Sequence, residues 1–245
     1  MATKYNGKKK RPFKQQITDG IAEIVNMTTN KPAKCLLCLP SIKQLDIKAF
    51  QQAGVIDHNT FIIFVEGGDA SVSNIIKKIK ANLARKGYKA KSVHGIESKL
   101  CDISRTQLYN VLKDNNLDGI DLVYADTCSC FNRCMIDWLE SCLKPNMTEG
   151  ATLITNFLLA RDVGDIPKAM WTNVKNPPRS EHAPGVTLVL RKIFGPSIAC
   201  IQYKAEYSSP CPMLVNIITN MDQDTFTLKQ VSNIVKDLQN IGYSS

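Results

Sequence analysis

The stretch Phe61-Ile62-Ile63-Phe64-Val65-Glu66-Gly67-Gly68-Asp69 decides the fold. Phe61–Val65 is an uninterrupted apolar run of strand length, the pattern of a strand covered on both faces. A carboxylate closes it, directly before a glycine turn. A second such run, Cys35-Leu36-Leu37-Cys38-Leu39, lies upstream and is stopped by Pro40-Ser41. An acid at the tip of a second parallel strand is where nucleotide-binding α/β folds hold the two ribose hydroxyls of a cofactor. A carboxylate suits that task because it accepts two hydrogen bonds at once, and charge-assisted bonds are the stronger kind. A surface carboxylate before an ordinary turn is the plainer alternative for Glu66.

Working outward, strand-length runs alternate with helical periodicity. Ile17, Ile21, Ile24 and Val25 have helical spacing, with Asp19 and Glu23 on the other face. Ile42, Leu45, Ala49 and Ala53 predict a helix that begins near Ile42 and stops at Gly54. Val72, Ile75, Ile76, Ile79 and Leu83 form one helical face, with Lys77, Lys78, Lys80 and Arg85 elsewhere on the wheel. Ala90–Val93 reads as a weaker third strand ending at His94-Gly95-Ile96-Glu97, followed by a helix at Leu108, Val111 and Leu112. Ile120–Ala125 is a fourth strand, ended by Asp126-Thr127-Cys128, and Cys134–Leu143 is helix-like. Ala151–Leu158 is a fifth strand. Five such alternations imply crossover units and a parallel sheet covered on both faces. After residue 160, Pro167, Pro177, Pro178 and Pro184 break up a loop-rich stretch, 161–185. Val186–Phe194 then reads as a helix, Ile198–Tyr207 and Met213–Thr219 as strands, and Val231, Ile234, Val235 and Leu238 as a last amphipathic helix. The connection between those two strands is short enough to permit only an antiparallel pair. The expected fold is α/β: a Rossmann-like three-layer sandwich, mostly parallel, with a C-terminal antiparallel hairpin.

This order of elements resembles the class I S-adenosylmethionine-dependent methyltransferases over about residues 33–220. Members from phage and virus-like genomes are the nearer likeness, because a Leu-Pro loop there leads into the first helix. The resemblance implies a seventh strand inserted antiparallel beside the fifth, and S-adenosylmethionine as cofactor. It implies that the loop 40–44, with Pro40 and Ser41, lies along the cofactor, and that Glu66 with Gly67 meets the ribose. Glu97 falls near the adenine position, and Asp126-Thr127-Cys128 where the catalytic or substrate-facing motif follows the fourth strand. Asp126 is therefore a candidate catalytic and cofactor-facing residue. A helix N-cap is its plainer role. Cys128 invites comparison with enzymes whose thiolate adds to cytosine, although their cysteine follows a proline and this one does not. The family's first loop is glycine-rich, whereas Leu39-Pro40-Ser41-Ile42-Lys43 has no glycine. Proline fixes φ and offers no N–H, so binding there would fall to Ser41 and a helix N-terminus.

The chain of 245 residues, 44% hydrophobic and 22% charged, can bury a full core. Its net charge of +9 is uneven. Lys4, Lys8, Lys9, Lys10, Arg11 and Lys14 place six cations in the first sixteen residues with no acid. Residues 1–16 read as a flexible basic arm, and 17–245 as one methyltransferase-like domain. Lys8, Lys9, Lys10, Arg11 and Lys14 are candidate nucleic-acid contacts, since such a tail attracts phosphates in a salt-dependent, sequence-blind way. No apolar run approaches membrane-spanning length and no secretory pattern opens the chain, so a soluble, cytoplasmic protein is expected, virus-encoded if the narrower likeness holds. Nine cysteines, an odd number without an export signal, favour reduced thiols packed as small hydrophobes. No zinc site is expected. Cys35 and Cys38, three apart in a strand, face opposite ways, and Cys128, Cys130 and Cys134 lack a second ligand pair.

Two functions compete. One is methyl transfer to a nucleic acid held by the basic arm. The other is a catalytically inactive module of the same fold that binds nucleic acid or a protein partner, favoured by the missing glycines and by the absence of an Asp/Asn-Pro-Pro-aromatic tetrapeptide. A dinucleotide-dependent oxidoreductase fits less well, for lack of Gly-x-Gly-x-x-Gly.

Overall fold

A computed structural model describes residues 11–29, 32–40, 44–67, 72–158, 182–204, 212–219 and 223–243. The strands are β1 (Cys35–Cys38), β2 (Phe61–Glu66), β3 (Val93–Glu97), β4 (Ile120–Cys130), β5 (Met147–Leu158), β6 (Ser197–Lys204) and β7 (Pro212–Thr219). The helices are α1 (Arg11–Thr28), α2 (Leu45–Gln52), α3 (Val72–Arg85), α4 (Arg105–Asp114), α5 (Arg133–Trp138), α6 (His182–Phe194) and α7 (Thr225–Tyr243). All seven strands join one sheet in the order β3-β2-β1-β4-β5-β7-β6. Neighbours from β3 to β5 run parallel, while β7 lies antiparallel between β5 and β6. The expected mostly parallel sandwich and its inserted antiparallel strand are both present.

The apolar runs read as doubly covered strands divide their side chains between two cores. Cys35, Leu37, Ile63, Val65, Val123 and Leu153 pack with Leu108 of α4, Ile136 of α5 and Val186 and Leu190 of α6. Leu36, Cys38, Ile62, Phe64, Leu122, Tyr124 and Ile154 pack on the other side with Ile21 of α1, Ile47 and Phe50 of α2, Ile79 of α3 and Leu238 of α7. Each fully buried Leu, Ile or Phe contributes roughly 1.5–3 kcal/mol. Helices α1 and α7 approach closely at Gly20, where a Cβ would stand 2.7 Å from the Leu238 methyls. Cys35 and Cys38 do fall on opposite faces. Cys142 is also buried, but Cys134 and Cys200 are exposed rather than packed as hydrophobes.

One polar clamp starts the sheet. Asp121 Oδ2 accepts from the backbone N–H groups of Lys34 and Cys35, each at 2.9 Å, and Oδ1 accepts from Thr148 Oγ1 at 3.1 Å. It ties the start of β1 to β4 and β5. Asp121→Ala would strand two backbone donors, and unfolding in urea should show a loss of about 2 kcal/mol.

Several boundaries differ from expectation. α1 begins at Arg11, so the last part of the basic arm is helical. α2 begins at Leu45 rather than near Ile42, because Gln44 takes left-handed backbone angles (φ 50°, ψ 47°) that no helix continues through. Ala90–Ser92 form a 3-10 turn, and β3 is Val93–Glu97. Only Val93 and Ile96 of this strand are buried, on opposite faces, which gave a weaker signal than the continuous runs. Pro184 lies in the first turn of α6, where its missing N–H has no intrahelical partner to lose. β4 does not stop before Asp126. It pairs with β5 as far as Cys130↔Leu158, with a break in register after Asp126↔Asn156, so Asp126 and Cys128 lie in the strand and not in a following loop. Most of the segment 161–185, and Lys8, Lys9 and Lys10, lie outside the described residues.

Candidate active site

The order of the sheet reverses between β1 and β4: α2 follows β1 onto one face and α5 follows β4 onto the other. A crevice opens where two such connections diverge, beyond the carboxyl ends of the strands.

Its wall beyond β1 is built by Pro40 and Gln44, both buried. Gln44, fully shielded, donates from Nε2 to the Ile79 carbonyl of α3 at 2.9 Å, and its own carbonyl lies 3.5 Å from Lys86 Nζ. These bonds hold a non-glycine residue in a conformation that costs on the order of 1–3 kcal/mol. Asp46, buried in the first turn of α2, follows. Burial and then the Asp46 charge push the Cys38 thiol well up. Burial lowers the Lys86 ammonium, against the pull of Asp46. Ser41 lies outside the described residues.

Beyond β2 and β3, Glu66 and Glu97 are register partners at the two strand tips. Glu66 is half-buried and burial raises its carboxyl, while Glu97 is exposed. The Glu66 carbonyl accepts from Ser98 N at 3.0 Å. Gly67 is required by the fold itself: a Cβ there would collide with the Ser98 carbonyl and stand 2.7 Å from Lys99 N. Its bare backbone lets the two strand tips close against each other, a use the sequence alone did not distinguish from cofactor contact.

Across the carboxyl-terminal halves of β4, β5 and β6 runs a chain of polar groups. Asn156, 2% exposed, donates from Nδ2 to Asp126 Oδ1 at 3.0 Å and to the Tyr203 hydroxyl at 2.9 Å. Its Oδ1 is buried with no partner among the described residues. Beside it the Tyr124 phenol is pushed well up, by burial first and then by the charges of Asp126 and Asp46. Asp126 is half-buried and is not a helix cap: Asn132 caps α5, accepting from Met135 N at 3.0 Å. Phe131 turns the chain out of β4, packing edge-on against Phe157 with ring centroids 4.9 Å apart. The backbone of Cys128 lies in β4, two residues beyond Asp126.

Glu66 thus closes β2 on one side of the switch point, and a carboxylate, a buried amide and a phenol are hydrogen-bonded to one another across β4, β5 and β6 on the other. Such a set can accept hydrogen bonds from a sugar and orient or deprotonate a polar acceptor. The acids were legible in the sequence; Asp46, Gln44, Asn156 and Tyr203 were not. Asn156 had a signal, as a carboxamide inside Leu153-Ile154-Thr155-Asn156-Phe157-Leu158, because a buried amide needs partners. Asp46 had none, since an acid in a first helical turn ordinarily just complements the helix dipole.

A separate pocket of about 490 Å³ lies on the α4 and α5 side, lined by Cys101, Arg105, Cys134, Asp137, Trp138 and Cys142 among others. Burial pushes the Cys101 thiol up to about 12 and the Cys142 thiol to about 11. None of the crevice residues lines it. Among the described residues no group of three His, Cys, Asp or Glu side chains is placed to hold a metal ion, and no helix is long and apolar enough to cross a membrane.

The methyltransferase subunit of a type I restriction-modification system from Streptococcus thermophilus has a similar structure, with a TM-score of 0.53 at 10% identity. The match covers 91% of this chain and 52% of that one. The fold is that of the class I methyltransferases. P. horikoshii TYW2, solved with MeSAdo, is also similar (TM-score 0.41, 11% identity, 82% of this chain and 62% of that one). So is CalS11, a TDP-rhamnose 3'-O-methyltransferase (TM-score 0.44, 15% identity, 82% and 79%). The chain therefore spans less than two thirds of the first two proteins. Neither a protein-family profile nor a curated protein matches the sequence.

Proposed function

We propose that this chain binds S-adenosylmethionine at the tips of β1 and β2 and transfers its methyl group to a nucleic acid. The observation that carries this is the Asp126–Asn156–Tyr203 chain in the carboxyl-terminal halves of β4, β5 and β6, across the switch point from Glu66. The residues present fit the cofactor in part. Glu66 has the position and half-burial to accept from both ribose hydroxyls, with Glu97 beside it toward the base. Pro40 is buried where the family's loop carries glycine, so the methionine end falls to Ser41 and the backbone around it. When bound, the cofactor supplies a methyl group on a sulfonium, a carbon already activated for in-line displacement.

The protein's part is then positional. Asn156 holds the Asp126 carboxylate in one rotamer. Asp126 accepts a hydrogen bond from the acceptor O–H or N–H, aligns its lone pair, and takes the proton as the bond to carbon forms. Buried Pro40 and Gln44 keep water from that side of the crevice. The basic segment, with Lys8, Lys9, Lys10, Arg11 and Lys14, supplies a phosphate-attracting charge.

Buried Pro40 favours a second function, a silent module that binds nucleic acid without methylating it. Calorimetric titration with S-adenosylmethionine and its demethylated product separates the two, paired with transfer of labelled methyl to RNA and DNA oligonucleotides. Micromolar binding with incorporation of label is expected. Salt-sensitive oligonucleotide binding without cofactor heat would identify the silent module.

A further inference from the structure

The basic arm accounts for only part of the positive charge. Residues 70–96 carry seven cations, Lys77, Lys78, Lys80, Arg85, Lys86, Lys89 and Lys91, and no acid. Outside these residues and the first sixteen, acids outnumber cations. Helix α3 buries Val72, Ile79 and Leu83. Its exposed side presents Lys77, Lys78, Lys80 and Arg85 around the small residues Ser73, Ala81 and Ala84, and exposed Lys89 and Lys91 follow in the turn before β3. None of these six cations forms an ion pair among the described residues; Arg85 meets only the Asn82 side chain, at 3.5 Å. Burial and then the charge of Lys80 lower the His94 imidazole, a sign that the positive field reaches β3.

We infer that this face of α3, with Lys89 and Lys91, is a docking surface for the phosphate backbone of a nucleic acid, resting on the proposed acceptor class. Four features select that partner. Uncompensated like charges repel one another and weaken the fold, a cost that a polyanion removes. The small residues between the cations let a sugar-phosphate chain come close to the helix. Lys77 and Arg85, eight residues apart, span about 12 Å of helix, room for more than one phosphate. α3 also begins just after the β2 tip that carries Glu66 and runs back toward the start of the parallel strand β3, so a strand held in the crevice can leave it along this face toward Lys89 and Lys91. A membrane is the poorer fit, because the exposed side carries no Trp, Phe or Leu to enter a bilayer.

The test uses the full chain and a fluorescein-labelled single-stranded RNA of about 20 nucleotides, with single-stranded DNA of the same sequence alongside. Binding is followed by anisotropy from roughly 50 to 200 mM salt. In the variant Lys77→Gln/Lys78→Gln/Arg85→Gln, three lost phosphate contacts should lower the slope of log affinity against log salt by about 2, at about 0.7 each. Binding at about 100 mM salt should weaken at least about tenfold. The control Lys229→Gln/Lys236→Gln, two exposed positions on α7, should match wild type. An unchanged slope in a folded triple variant overturns the proposal. So does wild-type binding to phosphatidylserine vesicles but to neither nucleic acid. Cofactor calorimetry on wild type and on the same triple variant keeps the two ideas apart: a slope change without cofactor binding in wild type preserves the docking surface and removes the methyltransferase function.

Discussion

Replacing Glu66 with Gln is expected to weaken S-adenosylmethionine binding by about 30-fold or more, with no loss of folded protein at neutral pH. An amide keeps one acceptor oxygen and loses the charge assistance of both ribose bonds, a difference of about 2 kcal/mol. Isothermal titration reads it directly. The stability half follows from the raised carboxyl, which burial lifts above its usual 4.5. The folded protein binds that proton more tightly than the unfolded chain. The contribution is thus fully present below the ordinary glutamate range and lost as pH rises through the folded value. At neutral pH the ionised carboxylate works against the fold, and Gln removes that opposition. Urea melts from about pH 4 to 8 should show a flatter profile for the variant across the acid range. Lost binding with retained stability is what a ligand-holding acid predicts; a solvated strand-end acid predicts retained stability with unchanged binding and an unchanged pH profile.

Asp126→Asn should lower methyl transfer by about 10²-fold to 10⁴-fold, the usual worth of a positioned proton acceptor. The exchange preserves shape, so the cofactor dissociation constant should change less than about threefold. A parallel loss of cofactor binding would reassign Asp126 to the cofactor. Asn156→Ala acts on the same acid from behind. It removes the donor shared by Asp126 and Tyr203, and should cost about 2 kcal/mol in unfolding together with part of the rate. Rescue of the rate by Asn156→Gln at reduced stability would mark a positioning role.

The architecture was legible wherever burial alone fixed it. Cys35–Leu39 and Phe61–Val65 are covered on both faces, so their side chains had to be apolar throughout, and that pattern has few other causes. Legibility failed where backbone pairing, and not side-chain burial, set the element. β4 runs past Asp126 because β5 supplies hydrogen bonds there, and polar side chains do not forbid a strand whose backbone is paired. It failed again where conformation overrode periodicity, as at Gln44, whose left-handed backbone delays α2. In the crevice, single-residue signals such as Glu66 at a strand tip could be read in advance. The Asp126–Asn156–Tyr203 set could not, because its members come together only through a cross-strand register that no local pattern encodes.

The inserted strand β7 has a consequence for the order in which a nascent chain becomes competent. β5 gains its second neighbour only when residues 212–219 have left the ribosome, after the rest of the sheet has been synthesised. Until then one edge of β5 is bare, and Asn156 lacks Tyr203, which reaches it from the far side of β7. The amide that holds Asp126 is therefore fixed last, and a fragment stopped short of β6 would carry Asp126 and Asn156 without the phenol that orients the amide.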